Sequence, residues 1–295
     1  MLAAVPDLRY DAHMPNITQP ITRRAFLKKA GVLLGAGALL SSYPFLIERY
    51  LLEVNTYRIP VPHLPPAFEG FRILQLTDMH IGPFTSAAYL QSAVQIANSI
   101  NKDITVFTGD AVQSSVPDDD IRKVWQILSG LQAPKGIFAV LGNHDHWIGL
   151  DKSITYAQRS GLLLRHMGVR LQRDGQHLWL GGLGDLWDDD LGVEACFANS
   201  DARDCRIALA HNPDTADRDL PCPIDLMICG HTNGGQVQLP VLTKMITPVS
   251  NKDYIQGYIK TANTRLFISR GIGWGGIPIR FRCPPELSLL VLAKE

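Results

Sequence analysis

The sequence predicts an α/β fold in which short buried strands alternate with helices. Apolar runs over 71–76, 103–108 and 136–141 each have the length of a buried strand. Between the first two runs, apolar residues recur at helical spacing over 86–101, where Ser86 is the candidate N-cap. This alternation indicates βαβ units, in which ligand sites lie beyond the carboxyl ends of the strands.

The other elements follow from local patterns along the chain. The acidic run 118–120 predicts the beginning of a helix over 121–131, because carboxylates favour a helix N-terminus. A further helix is expected over 151–167, ending at Gly168. Residues 53–68 are rich in proline, which predicts an edge strand or a linker. Further apolar runs predict strands over 177–180, 206–210, 225–229, 265–269 and 286–292.

Composition and charge exclude several classes of protein. A chain of 295 residues can form one large domain or two small ones, and no repeat or linker divides residues 51–295. The apolar content of 46% is enough for a buried core, and the net charge of zero gives no electrostatic reason to expect a nucleic-acid partner. The five cysteines are scattered without CxxC spacing, which favours buried thiols over disulfides or a cysteine zinc site.

Residues 1–50 are predicted to be an export signal or a membrane anchor. Residues 1–20 are polar and without periodicity, so we expect them to be disordered. Arg23 and Arg24 precede a Gly/Ala-rich apolar run, the layout of an export signal, and the arginine pair resembles a twin-arginine signal. The absence of acidic residues from Arg23 to Ile47 argues against an ordinary amphipathic helix. The run 30–47 is just long enough to span a bilayer, so an uncleaved anchor is an alternative.

Side chains that commonly bind metals follow five of the predicted strands. Asp78 and His80 are two residues apart after the first strand, so on an extended backbone they point to the same side. Gly109 lets the chain approach closely before Asp110, whose carboxylate can bridge two cations. Later strands end at Asn143 and His144, at His211 and at His231. Each residue alone would more often be a turn residue or a buried histidine, but together they indicate a metal site.

The residue types at these strand ends suit particular chemistry. Mixed carboxylate, imidazole and amide ligands favour a first-row metal such as Mn, Fe or Zn over Ca. In the segment Gly142-Asn143-His144-Asp145, the amide oxygen can bind a hard cation and the imidazole can give a proton to a leaving group. The adjacent carboxylate can orient that imidazole.

In order and spacing, five sequence blocks resemble those of the calcineurin-like metallophosphoesterase superfamily. These blocks are Asp78-Met79-His80, Gly109-Asp110, Gly142-Asn143-His144-Asp145, His211 and Gly230-His231-Thr232. Within the superfamily, the chain most resembles the twin-arginine-exported YkuE/YaeI-type phosphodiesterases, from Phe71 to its end. The resemblance implies a four-layer sandwich of two mixed β-sheets flanked by helices, with residues 51–295 as a metallophosphoesterase catalytic domain. It also implies phosphoester hydrolysis at a two-metal centre.

The resemblance implies a role for each matched residue. One divalent metal would bind Asp78, His80 and Asp110. The second metal would bind Asp110, Asn143, His211 and His231. His144 would stabilise or protonate the leaving oxygen, with Asp145 as a candidate orienter.

The sequence departs from the family pattern at Asn233. The family usually has histidine here, in Gly-His-Thr-His, as the last ligand of the first metal. Asn233 keeps a carbonyl oxygen and is therefore expected as a weaker ligand, which favours a looser site, a harder metal such as Mn or Mg, or partial vacancy. Arg270 and Arg280 are weak candidates for phosphate contact, with an ordinary ion pair as the alternative for each. Asp185 is a weak candidate for the substrate pocket.

These observations predict a metal-dependent phosphohydrolase of the cell envelope, either periplasmic or membrane-anchored after export by the twin-arginine machinery. Its substrate would be a phosphoester, with a phosphodiester favoured, attacked in line by a metal-bound hydroxide. Two alternatives stay open. One is a pyrophosphatase of the UDP-2,3-diacylglucosamine type, as in some relatives. The other is a metal-binding envelope protein with weakened catalysis, which Asn233 would permit. Manganese is the favoured metal.

Overall fold

The computed structural model describes residues 22–295, except the side chains of Ala36, Ala38, Leu39 and Leu40. The predicted disordered segment 1–20 lies outside the described residues. The chain divides into two compact units between Ser42 and Tyr43. In the described part of the N-terminal unit, the chain is helical from Arg23 onward. Among the residues that the structure describes, we find no helix with both the length and the apolar character needed to cross a membrane.

Eleven strands and seven α-helices form over residues 22–295. The strands are β1 (Glu53–Val61), β2 (Arg72–Leu76), β3 (Ile104–Thr108), β4 (Ile137–Val140), β5 (Met167–Arg173), β6 (Gln176–Gly182), β7 (Arg206–Leu209), β8 (Leu226–Cys229), β9 (Gly257–Lys260), β10 (Arg265–Ile268) and β11 (Glu286–Lys294). The helices are α1 (Arg23–Leu46), α2 (Ala87–Ser99), α3 (Asp118–Leu128), α4 (Asn143–Trp147), α5 (Leu150–Ser160), α6 (Val193–Phe197) and α7 (Leu242–Ile246).

The strands form two mixed sheets. The first sheet has the order β1-β11-β2-β3-β4, in which β2, β3 and β4 are parallel and β11 runs antiparallel to β2. The second has the order β5-β6-β7-β8-β10-β9, with a parallel centre and antiparallel edge strands β5 and β9. Helices flank the sheets, so the predicted architecture of two mixed sheets flanked by helices is confirmed.

The central strands are buried on both faces, which explains why they are almost continuously apolar. Successive side chains point to opposite sides of a strand. In β2, Ile73 packs in the core between the sheets, whereas Leu74 packs in the cluster shared with α2, α3 and α5. In β8, Ile228 lies in the same inter-sheet core, whereas Met227 packs with α6. The layers are therefore helix, sheet, sheet and helix.

The structure confirms most predicted elements and corrects one. Segment 53–68 contains the edge strand β1, and Ser86 caps α2 by accepting a hydrogen bond from the Tyr89 amide at 3.3 Å. The helix predicted over 151–167 forms as α5, but its predicted end is wrong, because α5 ends at Ser160. Gly161 follows in the left-handed conformation at φ 72°, a common helix stop, and the chain then enters β5. All five cysteines are free thiols, and four of them are buried.

Candidate metal centre

The carboxyl ends of five strands meet beside a cavity of about 350 Å³. β2, β3 and β4 contribute from the first sheet, and β7 and β8 from the second. The predicted ligand residues follow these strands: Asp78 and His80 after β2, Asp110 after β3, Asn143 after β4, His211 after β7, and His231 and Asn233 after β8. Each of these seven side chains is buried. The parallel strands of both sheets thus bring residues distant in sequence to one place.

Two overlapping sets of side chains could each hold a cation, and Asp110 belongs to both. The first set contains His80, Asp110 and His144, and the second contains Asp110, His211 and His231. Within each set, the candidate ligand atoms lie within 4.8 Å of one another. Asp110 Oδ2 is 3.6 Å from His80 Nε2 and 3.2 Å from His211 Nε2. One carboxylate therefore lies between the two positions.

The second set fits a cation by the chemistry of its donors. His211 Nδ1 lies 2.7 Å from the Thr108 carbonyl, and His231 Nε2 lies 2.9 Å from the Pro248 carbonyl. Each of these nitrogens donates its hydrogen to a carbonyl, so in the neutral ring, the form that binds a cation, the opposite nitrogen carries a lone pair. These opposite nitrogens are 3.2 Å apart, and Asn143 Oδ1 lies 3.1 Å and 2.9 Å from them. Lone pairs converge in this way where a cation is bound.

Asp78 completes the first set. Its Oδ1 lies 3.6 Å from His80 Nε2. Its Oδ2 accepts a hydrogen bond from the Thr77 hydroxyl at 2.7 Å, and the His231 amide contacts both carboxylate oxygens. The carboxylate is thereby held in one orientation, beside the nitrogen of His80.

The electrostatics of the centre favour positive charge at Asp110. Burial alone would raise the pKa of Asp110, but His211 outweighs burial and holds this pKa well below its usual range. Burial likewise lowers the pKa of His211, and the Asp110 carboxylate overcomes it and raises this pKa. Burial lowers the pKa of both His144 and His231 to about 4, so these rings are neutral near neutral pH. A field that stabilises a proton at this point also favours a divalent cation.

Backbone strain is concentrated in the ligand residues. Asp78, His80, Asp110, His231 and Asn233 have φ values of 52°, 45°, 56°, 72° and 49°, in the left-handed region that L-residues rarely adopt. Each such residue costs about 1–3 kcal/mol. Hydrogen bonds hold the conformation, including one of 3.1 Å from the His80 amide to the Asp110 carbonyl. The strain fixes the directions of the ligand side chains before any ligand binds.

Gly109 has the role that the sequence predicts. At φ 94°, it brings the chain so close to the neighbouring loop that a Cβ there would lie 2.6 Å from the Gly142 nitrogen. The same Cβ would lie 2.7 Å from His211 Nδ1. A side chain at this position would therefore separate two of the ligand-bearing loops.

Asp145 does not contact the His144 ring, contrary to the expected orienting role. Its carboxylate accepts hydrogen bonds from the amides of Asp110 at 2.9 Å, Ala111 at 3.0 Å and Gly142 at 2.9 Å. Burial and the Asp110 charge raise the pKa of Asp145 to about 7, while the amide donors favour the charged form. Asp145 thus joins the loop after β3 to the loop after β4, and it is a positioning residue.

His144 lies at the edge of the cavity, where it could reach a substrate. Its ring centroid is 4.8 Å from that of His80 and 4.8 Å from that of Trp147. Its Nδ1 is buried without a hydrogen-bond partner among the described residues. The ring is therefore free to bind an added oxygen atom.

Asn233 lies beside the first set but presents its nitrogen to it. Asn233 Nδ2 is 3.3 Å from Asp78 Oδ1 and 3.3 Å from His80 Nε2. If Asn233 were a ligand, as expected, its carbonyl oxygen would have to face the first set. In the structure, Asn233 Oδ1 instead faces Arg280 Nη2.

Arg270 and Arg280, the two weak candidates for phosphate contact, bind groups of the protein itself. Arg270 Nη2 pairs with Glu53 at 2.9 Å and with the buried Glu286 at 3.1 Å, which joins the loop after β10 to β1 and β11. Arg280 is buried and donates to backbone carbonyls. The structure therefore favours the ion-pair interpretation for Arg270 and a positioning role for Arg280.

Arg270→Met should lower stability and leave catalysis nearly unchanged. Removal of one partner leaves the buried Glu286 carboxylate without its charge partner, at a cost of about 3 kcal/mol in the free energy of unfolding. Urea unfolding measures this loss. Arg122→Met, which breaks the exposed Arg122–Asp119 pair, is the matched control and should have a much smaller effect. A stable Arg270→Met protein with greatly weakened substrate binding would contradict this assignment.

The sequence interpretation missed the residues that form the cavity mouth. Exposed Trp147, Trp187, Ile246 and Ile277 line it together with the candidate ligands. The ring of Trp187 lies 4.6 Å from that of His231. The signal available in the sequence was Trp147, which lies two residues after Asp145 at the end of helix α4. Asp185, the weak pocket candidate, is buried and is absent from the cavity lining.

A two-sheet α/β sandwich with a shared carboxylate between two ligand sets defines the class of metal-dependent phosphoester hydrolases. The family model described as calcineurin-like phosphoesterase matches residues 71–234. The chain belongs to this family and is a metallophosphoesterase, a hydrolase that acts on phosphoester bonds and binds divalent metals. The predicted family membership is confirmed.

Several named relatives align over most of their length. The uncharacterized metallophosphoesterase YkuE of Bacillus subtilis is 31% identical over 92% of this chain and 98% of its own. Phosphodiesterase YaeI of Escherichia coli is 29% identical over 75% of this chain and 82% of its own. The UDP-2,3-diacylglucosamine pyrophosphatase LpxG of Chlamydia trachomatis is 26% identical over 83% of this chain and 90% of its own.

Proposed function

We propose that the chain hydrolyses phosphodiester bonds with two divalent cations held on either side of Asp110, with manganese as the favoured metal. The observation that carries this proposal is the position of Asp110 Oδ2, between His80 Nε2 and His211 Nε2. Two bound cations would lower the pKa of a water molecule and withdraw charge from the phosphoryl oxygens. A carboxylate shared by two ligand sets suits such a pair.

The remaining residues contact the leaving oxygen, hold the ligand side chains in position and bind the apolar part of the substrate. His144 lines the cavity, and its neutral ring can donate a hydrogen bond to the leaving oxygen. Asp145 holds the Asp110 loop, and the strained backbone keeps the ligand side chains in place. The exposed rim of Trp147, Trp187, Ile246 and Ile277 contacts the apolar part of an ester.

A panel of substrates and metals tests this function. The protein is stripped with chelator and assayed with bis(p-nitrophenyl) phosphate and p-nitrophenyl phosphate after addition of Mn²⁺, Fe²⁺, Zn²⁺ or Mg²⁺. We expect the diester to be hydrolysed faster than the monoester, with Mn²⁺ restoring the highest rate. No turnover of any substrate with any metal would support the alternative of a metal-binding protein with weakened catalysis.

A lipid pyrophosphatase is the second candidate, favoured by the apolar mouth of the cavity and by the similarity to LpxG. Such an enzyme would cleave the pyrophosphate bond of UDP-2,3-diacylglucosamine, with the acyl chains against Ile246 and Ile277. Release of UMP from that compound, without hydrolysis of simple diesters, would favour this candidate. Hydrolysis of simple diesters alone would favour the phosphodiesterase.

We also propose that residues 1–50 direct export to the cell envelope by the twin-arginine route. Arg23 and Arg24 at the beginning of α1 and the Gly/Ala-rich run that follows support this proposal. Replacement of both arginines by lysine should leave the protein in the cytoplasmic fraction. A carbonate wash of the envelope fraction then separates a membrane-anchored product from a released one, and unchanged export of the double variant would contradict the route.

A further inference from the structure

Arg280 is a fully buried arginine whose hydrogen bonds hold it in one orientation. Its side chain is 0% exposed. Its guanidinium donates to the carbonyls of Gly273 at 3.0 Å, Cys283 at 3.2 Å and Arg270 at 2.9 Å. Because these acceptors are backbone atoms of one folded segment, the guanidinium cannot turn without breaking several bonds. A guanidinium group has hydrogen-bond donors and no acceptor.

The fixed guanidinium determines which end of the Asn233 amide faces the first ligand set. Arg280 Nη2 lies 3.5 Å from Asn233 Oδ1. The amide nitrogen then faces two acceptors, Asp78 Oδ1 at 3.3 Å and His80 Nε2 at 3.3 Å. The reverse orientation would place the NH₂ group against the guanidinium, where both are donors only. This donor conflict would persist with a cation bound, because the guanidinium has no acceptor to offer the NH₂ group.

The two ligand sets are therefore unequal in side-chain donors. An amide NH₂ group has no lone pair to give to a cation, so Asn233 adds nothing to the first set. His144 belongs to the same group but is assigned to the leaving oxygen in the proposed function. That set therefore keeps Asp78, His80 and the shared Asp110 as cation ligands. The second set has the shared Asp110 together with Asn143, His211 and His231.

We propose that Arg280 holds the Asn233 amide with its nitrogen toward the first ligand set, so that the two cation positions differ in affinity and fill in order. The position at His211 and His231 fills first, and the position at Asp78 and His80 fills only at higher metal concentration. This inference rests on the proposed two-cation function. It makes full activity depend on the free metal concentration, through the weaker position.

A manganese titration of the chelator-stripped protein tests the order of filling. Isothermal calorimetry and the electron paramagnetic resonance signal of free Mn²⁺ both count bound ions without reference to activity. We expect two steps of one ion each, with dissociation constants that differ by about tenfold or more. Two ions bound with equal affinity would overturn the inference and leave the proposed function standing. Binding of one ion or none at saturation would overturn both.

Two matched variants test the role of Asn233. Asn143→Ala removes an oxygen from the second set and should weaken the tighter step by about tenfold or more. Asn233→Ala is the same substitution beside the first set, and it should change the weaker step by less than about threefold because no ligand is lost. An equal loss of affinity in the two variants would show that Asn233 is a ligand and would overturn the inference.

Arg280→Met tests the role of the guanidinium itself. Without the charged donor, the Asn233 amide is free to turn its oxygen to the first set, so the weaker step should tighten by about tenfold. An unchanged weaker step in a folded Arg280→Met protein would overturn the role of Arg280. If this variant does not fold, the comparison of Asn143→Ala with Asn233→Ala decides the inference alone.

Discussion

Asp110→Asn is expected to lower kcat/KM for a phosphodiester by about 10³-fold or more. Asp110 Oδ2 lies next to a histidine nitrogen of each ligand set, and its Oδ1 accepts the His144 amide at 2.9 Å. Asparagine keeps one oxygen but loses the negative charge, and its NH₂ group must face one of the sets. Both cation positions should weaken together, which steady-state kinetics and metal analysis of the purified variant would show.

The control for Asp110→Asn is the same substitution at an exposed carboxylate. Asp118 lies at the beginning of α3 and pairs with Lys152, and it is not among the residues that line the cavity. Asp118→Asn should keep its activity and metal content within about twofold of the parent. Retention of full metal content and most of the activity by Asp110→Asn would contradict the shared-carboxylate assignment.

Asp145→Asn should reduce both stability and metal affinity, although Asp145 belongs to neither ligand set. Its carboxylate accepts three backbone hydrogen bonds, and an asparagine oxygen can replace only part of them while its NH₂ group opposes the remaining amides. We expect the free energy of unfolding to fall by about 3 kcal/mol. Urea unfolding should be measured about one pH unit above the pKa of Asp145, where the parent carboxylate is charged.

The outcome for Asp145→Asn separates two roles. A positioning residue should affect stability and metal affinity together, whereas an orienter of His144 should affect only the pH dependence of kcat. Asp174→Asn, at an exposed turn between β5 and β6, is the matched control and should be nearly neutral. Normal stability and metal affinity with an altered pH–rate profile would restore the orienting role.

The sequence predicted the fold where local pattern and tertiary burial agree. β2, β3 and β4 are apolar because both of their faces are buried, and a run of that kind is visible without a structure. The end of α5 was missed because the helical apolar pattern continues past Gly161, although the chain there turns to an extended path. Local periodicity does not distinguish these two paths.

The ligand residues were predictable from residue type and spacing, but the hydrogen bonds and ion pairs of the residues around them were not. Asp145 is adjacent to His144 in sequence, so an interaction between them was the natural expectation. The Asp145 carboxylate instead accepts hydrogen bonds from backbone amides in the loop after β3. Arg270 pairs with Glu53, and Arg280 faces Asn233, across long sequence separations. Such contacts depend on the tertiary fold and leave no local pattern.

The strained backbone links the fold to the chemistry. Left-handed φ values at Asp78, Asp110 and His231, each two residues after the end of β2, β3 or β8, accompany side chains that meet at a common centre. The cost of this strain is offset by the packed two-sheet core, which positions the loops without any ligand. A preorganised centre needs little rearrangement when a cation or substrate binds.

Anomalous diffraction from a crystal soaked in saturating Mn²⁺ locates the bound cations relative to Asp110. Two anomalous peaks should flank the Asp110 carboxylate, about 3.5–4 Å apart. One peak should lie against His211 and His231 and the other against Asp78 and His80. The peak at His211 and His231 should be the first to appear as the metal concentration rises. A single peak at saturation, or two peaks that do not share Asp110, would contradict a two-cation centre around the Asp110 carboxylate.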